Sequence, residues 1–128
     1  MAKNFLLVDD SAVMRKLIRK TIGLCSIQVG EIYEASNGRE GLEVVARHPV
    51  DLIFLDVNMP VMDGIEMLER VMEIPEAKDT PVLMVSPESN QSRIGRFSQK
   101  NIGYIQKPFT PEVLIRKIVE MLASAETV

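Results

Sequence analysis

Short apolar runs and longer amphipathic stretches alternate along the whole 128-residue chain. Leu52–Asp56 (LIFLD) and Val82–Val85 (VLMV) are apolar almost without interruption, which predicts parallel strands covered on both faces. Phe5–Asp9, Gly30–Ala35 and Tyr104–Ile105 complete a set of five strands. Between them, apolar positions recur with helical period over Ala12–Leu24, Gly38–Arg47, Gly64–Met72 and Pro111–Ala123. In the first of these, Val13, Leu17, Ile18, Thr21 and Ile22 are predicted to share the core-facing stripe. The last begins with Thr110 as N-cap, Pro111 at the first helical position and Glu112 in the first turn. The polar stretch PESNQSRIGRFSQKN, residues 87–101, predicts a short and poorly anchored helix. Its apolar anchors are Ile94 and Phe97, and Gly95 costs a helix interior about 1 kcal/mol relative to Ala. Five βα repeats with short connections predict an α/β fold, a doubly wound parallel sheet with right-handed crossovers.

Composition narrows the class without naming a function. The chain is 46% hydrophobic and 26% charged, which is ordinary for a globular domain. No apolar run approaches the roughly 20 residues of a membrane-spanning helix. Asp9 and Asp10 interrupt the first apolar run too early for a signal peptide. Cys25 is the single cysteine, so no internal disulfide forms, and a reducing cytoplasm is the expected location. A net charge of -3 gives no electrostatic footprint for nucleic acid. The expectation is one domain over residues 1–128, with no output domain.

In such sheets ligands bind outside the carboxyl ends of the strands. Here the first strand ends in Asp9 and Asp10, the third in Asp56, the fourth in Ser86, and the fifth runs into Lys107. Taken singly, the acidic pair reads as a solvated turn and Asp56 as a strand-end cap. Their joint placement at one edge points to a site. Three carboxylates so close repel one another unless a cation joins them, and hard oxygen ligands suit Mg²⁺. Lys107 and Ser86 suit a phosphoryl group on Asp56, one as cation and one as hydroxyl donor. A carboxylate can itself be the nucleophile.

These motifs (LLVDDSAVMR, LIFLDVNMPVMDG, VLMVS and YIQKPF) together resemble the receiver domain of two-component response regulators, over essentially the whole chain. The resemblance implies a flavodoxin-like strand order 2-1-3-4-5 with five helices. It implies that Asp56 is phosphorylated, that Asp9, Asp10, Asp56 and the Asn58 carbonyl hold Mg²⁺, and that Ser86 and Lys107 contact the phosphoryl group. It further implies a cis Lys107–Pro108 peptide, a switch pair of Ser86 and Tyr104, and tuning of phosphoryl hydrolysis by Asn58 and Glu88. The implied phosphodonor is a histidine kinase. The implied output is a protein-binding surface read by a target such as a flagellar motor component or a phosphotransfer protein, because DDSAVMRKLIRK, Asn58 and Glu88 most resemble the single-domain chemotaxis regulators.

Two departures stand out. The segment between Ser86 and Tyr104 is about one residue shorter than is usual in those regulators. Pro87 stands where a small residue with an amide to donate is usual, so it is expected to weaken the phosphorylated state. The runner-up is a phosphorelay intermediate, with a phosphate sink as a variant. From another class, an Mg²⁺-dependent aspartyl-phosphate hydrolase would need an Asp where Asn58 stands. A flavin module would need a hydroxyl- and Gly-rich loop in place of DDSAV.

Overall fold

The two wholly apolar runs become the buried middle of a parallel sheet. The computed structural model of the protein describes residues 2–86 and 101–126. Its elements run β1 (Lys3–Val8), α1 (Ala12–Ile22), β2 (Val29–Ala35), α2 (Gly38–Arg47), β3 (Leu52–Asp56), α3 (Gly64–Met72), β4 (Val82–Ser86), β5 (Ile102–Gln106) and α4 (Pro111–Glu126). The strand order is β2-β1-β3-β4-β5 with every pair parallel, as the sequence and its resemblance predict. The weak helix expected over residues 87–101 falls outside the described residues, apart from Asn101.

Every residue of β3 and β4 is buried, because helices cover both faces. Alternate side chains divide between two cores. Leu6, Val8, Ile53, Leu55, Val82 and Met84 pack with α2 and α3. Phe5, Leu7, Phe54, Leu83, Val85 and Ile105 face the other way, toward α1 and α4. Ile18 and Ile22 of α1 and Leu114 and Ile118 of α4 close that second core.

The helices start where their caps say they should. Ser11, Asn37 and Asp63 each accept a backbone N–H three residues on, and Thr110 does the same for Val113. The stripe predicted for α1 needs correction. Ile18, Thr21 and Ile22 are buried, but Val13 is 80% exposed and Leu17 41% exposed, while Met14 packs inward. At 3.6 residues per turn, Leu17 lies about 80° and Val13 about 120° from the buried line. Their spacing was helical, but the helix is rotated away from them. Element ends also shift: β1 starts at Lys3 and stops before Asp9, α1 stops at Ile22, and β5 spans five residues rather than two.

At the amino edge of the sheet, Asn4 and Asp51 satisfy each other. The Asn4 amide donates to Asp51 Oδ2 at 2.7 Å, and the Asp51 amide returns a bond to the Asn4 carbonyl at 2.8 Å. The Asn4 side chain accepts from the Glu31 amide at 2.8 Å and donates to the Pro49 carbonyl at 3.3 Å.

Candidate functional site

The opposite edge gathers the residues singled out in the sequence. Asp9 follows Leu7 by one pleat, Asp56 follows Phe54 and Lys107 follows Ile105, so all three continue the face that carries α1 and α4. Asp9 and Asp56 are buried, at 2% and 5% exposure, and Asp10 is exposed. Carboxylate oxygens of Asp9, Asp10 and Asp56 all lie within 4.8 Å of one another. Lys107 Nζ stands between two of them, 3.6 Å from Asp9 Oδ2 and 3.8 Å from Asp56 Oδ1.

Among the described residues, one ammonium faces three carboxylates and does not balance them. Burial pushes the Asp56 carboxyl up to about 6 from an ordinary 3.8, and the charge of Asp9 adds to the rise. Lys107 and the Asn58 amide, which donates to Asp56 Oδ1 at 3.2 Å, pull the other way and are outweighed. A crowded set of hard oxygen donors with surplus negative charge fits a divalent cation, and Mg²⁺ in particular, which binds through one or two carboxylates and keeps several waters.

The surrounding loops hold this arrangement. The Ser11 amide donates to Asp9 Oδ1 at 2.9 Å, and Arg15 Nη1 donates to the Asp9 carbonyl at 2.5 Å. Behind Asp56, the Gly64 amide donates to the Val57 carbonyl at 2.9 Å. A Cβ on Gly64 would stand 2.2 Å from the Asp56 carbonyl oxygen, so only glycine lets α3 begin this close to the end of β3. In the same loop Val61 has a φ of 69°, a left-handed conformation costly for a β-branched residue, with its side chain 75% exposed.

Ser86 is fully buried at the end of β4, and its carbonyl accepts from the Lys107 amide at 2.7 Å. Its register partner is Gln106, while Met84 pairs with Tyr104. Ser86 and the half-buried Tyr104 therefore point to one face, the one that carries α2 and α3. Lys107–Pro108 is cis, as the resemblance implies. Asn58 is exposed beside Asp56. Pro87 and Glu88, the other expected tuning positions, lie outside the described residues. The sequence reading missed Arg15 and Gly64. The Asp-Gly pair closing the Asp56 loop was the available signal for Gly64; no periodic pattern marks Arg15.

Among the described residues, no helix is long and apolar enough to cross a membrane. Residues 5–119 match the response regulator receiver domain family. A chemotaxis protein CheY homolog of Campylobacter jejuni is 32% identical, over 93% of this chain and 92% of that protein. The chemotaxis protein CheY-3 of Vibrio cholerae is 33% identical over 88% and 86%. Among solved structures, the chemotaxis response regulator CheY4 of Vibrio cholerae superposes with a TM-score of 0.83 at 31% identity, covering 95% of this chain and all of that one. With its motifs, strand order and acidic edge in agreement, the chain belongs to the response regulator receiver domain family, the signalling modules of two-component systems.

Proposed function

We propose that the protein is a phosphorylation-activated switch in which Asp56 accepts a phosphoryl group from a histidine kinase with Mg²⁺, and that its output is a protein-binding surface, in chemotaxis. The observation that carries the chemistry is the convergence of Asp9, Asp10, Asp56 and Lys107 at one edge. The naming of the relatives as chemotaxis proteins supports the pathway. A flagellar motor component is the target that fits it, and the cytoplasm is the location.

Asp9, Asp10, Asp56 and the Asn58 carbonyl are the residues that would hold Mg²⁺. When bound, the ion offsets negative charge between the attacking carboxylate and the phosphoryl oxygens. An Asp56 oxygen forms the new bond to phosphorus, the P–N bond to the donor histidine breaks, and the nitrogen keeps the electron pair. Even raised to about 6, the metal-free carboxyl is ionised at neutral pH, the form that attacks phosphorus. Lys107 reaches Asp56 and compensates charge on the transferred group. Ser86 donates its hydroxyl to that group, and Tyr104, on the same face, is the element that carries the change outward. Asn58, Pro87 and Glu88 set how long the phosphoryl group survives.

Incubation with acetyl phosphate and Mg²⁺ is expected to add a single phosphoryl group, detected by intact mass, and Asp56→Asn is expected to abolish it. Labelling that persists in Asp56→Asn, or that maps to Asp9 or Asp10 in the wild type, overturns the assignment.

A further inference from the structure

The Asp9 carbonyl lies one residue past the end of β1, where the sheet offers it no amide. Arg15 supplies the donor instead. Helical side chains lean back toward the helix N-terminus, so a residue at the end of the first turn of α1 can reach the loop that precedes the helix. Arg15 Nη1 bonds the Asp9 carbonyl at 2.5 Å, while Arg15 Nε bonds Glu34 Oε1 on β2 at 2.9 Å. The second Glu34 oxygen is held by Arg19, through Nε at 3.1 Å and Nη2 at 2.8 Å. Arg19 Nη2 is itself tied to the Ile32 carbonyl at 3.1 Å. Burial pushes the Glu34 carboxyl up, yet hydrogen bonds from Arg19 and Arg15 outweigh it and keep the group ionised. The Arg15 side chain is only 17% exposed, whereas Glu34 and Arg19 face solvent at 35% and 47%, so the shielded part of the clamp is its Arg15 end, next to Asp9.

We propose that Arg15 is a positioning residue for the acidic pair. It ties the turn that carries Asp9 and Asp10 to Glu34 on β2, and thereby sets where the two carboxylates stand for the cation. The inference rests on the Mg²⁺ reading of the site. Like charges at Asp9, Asp10 and Asp56 push the turn outward, and the guanidinium opposes that movement from the main-chain side without neutralising a ligand. Only a planar fork can bridge a carbonyl and a carboxylate in this way; an ammonium is a point charge.

Position and charge make opposite predictions. If Arg15 acted only through its charge, removing it would make the site more negative and tighten Mg²⁺ binding. If it positions the turn, Arg15→Ala weakens binding about tenfold, the usual scale for losing a group that orients metal ligands. Arg15→Lys, which keeps the charge, weakens it too. Lys20→Ala removes an equal charge from an exposed position of the same helix, outside these hydrogen bonds, and should change the affinity less than threefold.

Calorimetric titration with Mg²⁺ of these variants and the wild type, with melting of each metal-free protein to verify folding, decides between them. In the metal-free proteins the amide resonances of Asp10 and Ser11 are expected to move in both Arg15 variants and to stay in Lys20→Ala. Should Arg15→Ala fail to fold, Arg15→Lys carries the test. Equal or tighter binding in a folded Arg15 variant, or unmoved Asp10 and Ser11 resonances, overturns the proposal. A wild type that binds no Mg²⁺ overturns the magnesium reading instead, and the resonances then decide whether Arg15 still positions the turn.

Discussion

The two edges of the sheet solve the same problem in opposite ways. Each must end its strands in polar residues beside a buried core. At the amino edge, Asn4 and Asp51 pair donors with acceptors until little is left over. At the carboxyl edge, among the described residues, Lys107 pairs with two of three clustered carboxylates, and the buried Asp56 has its pKa driven up to about 6. The first edge is complete as it stands. The second keeps a surplus of negative charge, which a cation from solution would offset.

The contrast can be broken most directly with Mg²⁺. Saturating the wild type at about a hundred times the dissociation constant should stabilise it by roughly 3 kcal/mol in denaturant melts. Asn4→Ala should keep that whole increment, and Asp56→Asn should lose most of it. An increment of equal size in both variants would mean that the ion acts elsewhere.

At the amino edge the cost should appear without any ligand. Asn4→Ala strips the Glu31 amide of its acceptor and is expected to lose roughly 1–2 kcal/mol, whether or not EDTA is present. A loss that vanishes in EDTA would tie the two edges together.

Acidity should sharpen the difference further. The folded Asp56 pKa of about 6 lies above its ordinary 3.8, so the native state binds this proton more tightly than the unfolded chain. The resulting stabilisation is fully present below about pH 3.8 and is lost as pH rises through about 6. Metal-free wild type should therefore lose stability relative to Asp56→Asn as pH climbs through that window. Parallel profiles for the two proteins would show that Asp56 is not the titrating group.

Smaller effects should come from the rim. Asp10→Asn, which removes one exposed like charge, should raise metal-free stability by up to about 1 kcal/mol. Val61→Asn, which suits a left-handed backbone and gives up little packing at an exposed position, should add roughly 0.5–1 kcal/mol. A loss from Val61→Asn would mean that the side chain has a partner the backbone strain conceals.

The amino edge and the rim were also the less legible parts of the sequence. LIFLD and VLMV announced β3 and β4 within one residue because continuous apolar runs leave few alternatives. The limits of α2 and α3 matched their helical periodicity, and in the structure Asn37 and Asp63 cap their N-termini. The rotation of α1 was not legible, since periodicity gives a stripe but not which flank of it the neighbouring α4 leaves exposed. β5 was read short because Gly103 and Gln106 have weak strand preference and owe their place to backbone pairing with β4. The acidic cluster was legible because strand ends converge by topology alone. Arg15 was not, because its reach to Asp9 and Glu34 depends on a side-chain path rather than on spacing.

The alternation of side chains across the sheet has a consequence for how such a molecule can diverge. Asp9, Asp56 and Lys107 belong to the side of α1 and α4, while Ser86 and Tyr104 belong to the side of α2 and α3. The sheet separates the two sets, and in the proposed switch the Ser86 hydroxyl is what joins them at the carboxyl edge. Substitutions around Tyr104 can suit a new listener without touching Asp9, Asp56 or Lys107, whereas Ser86 answers to both sides.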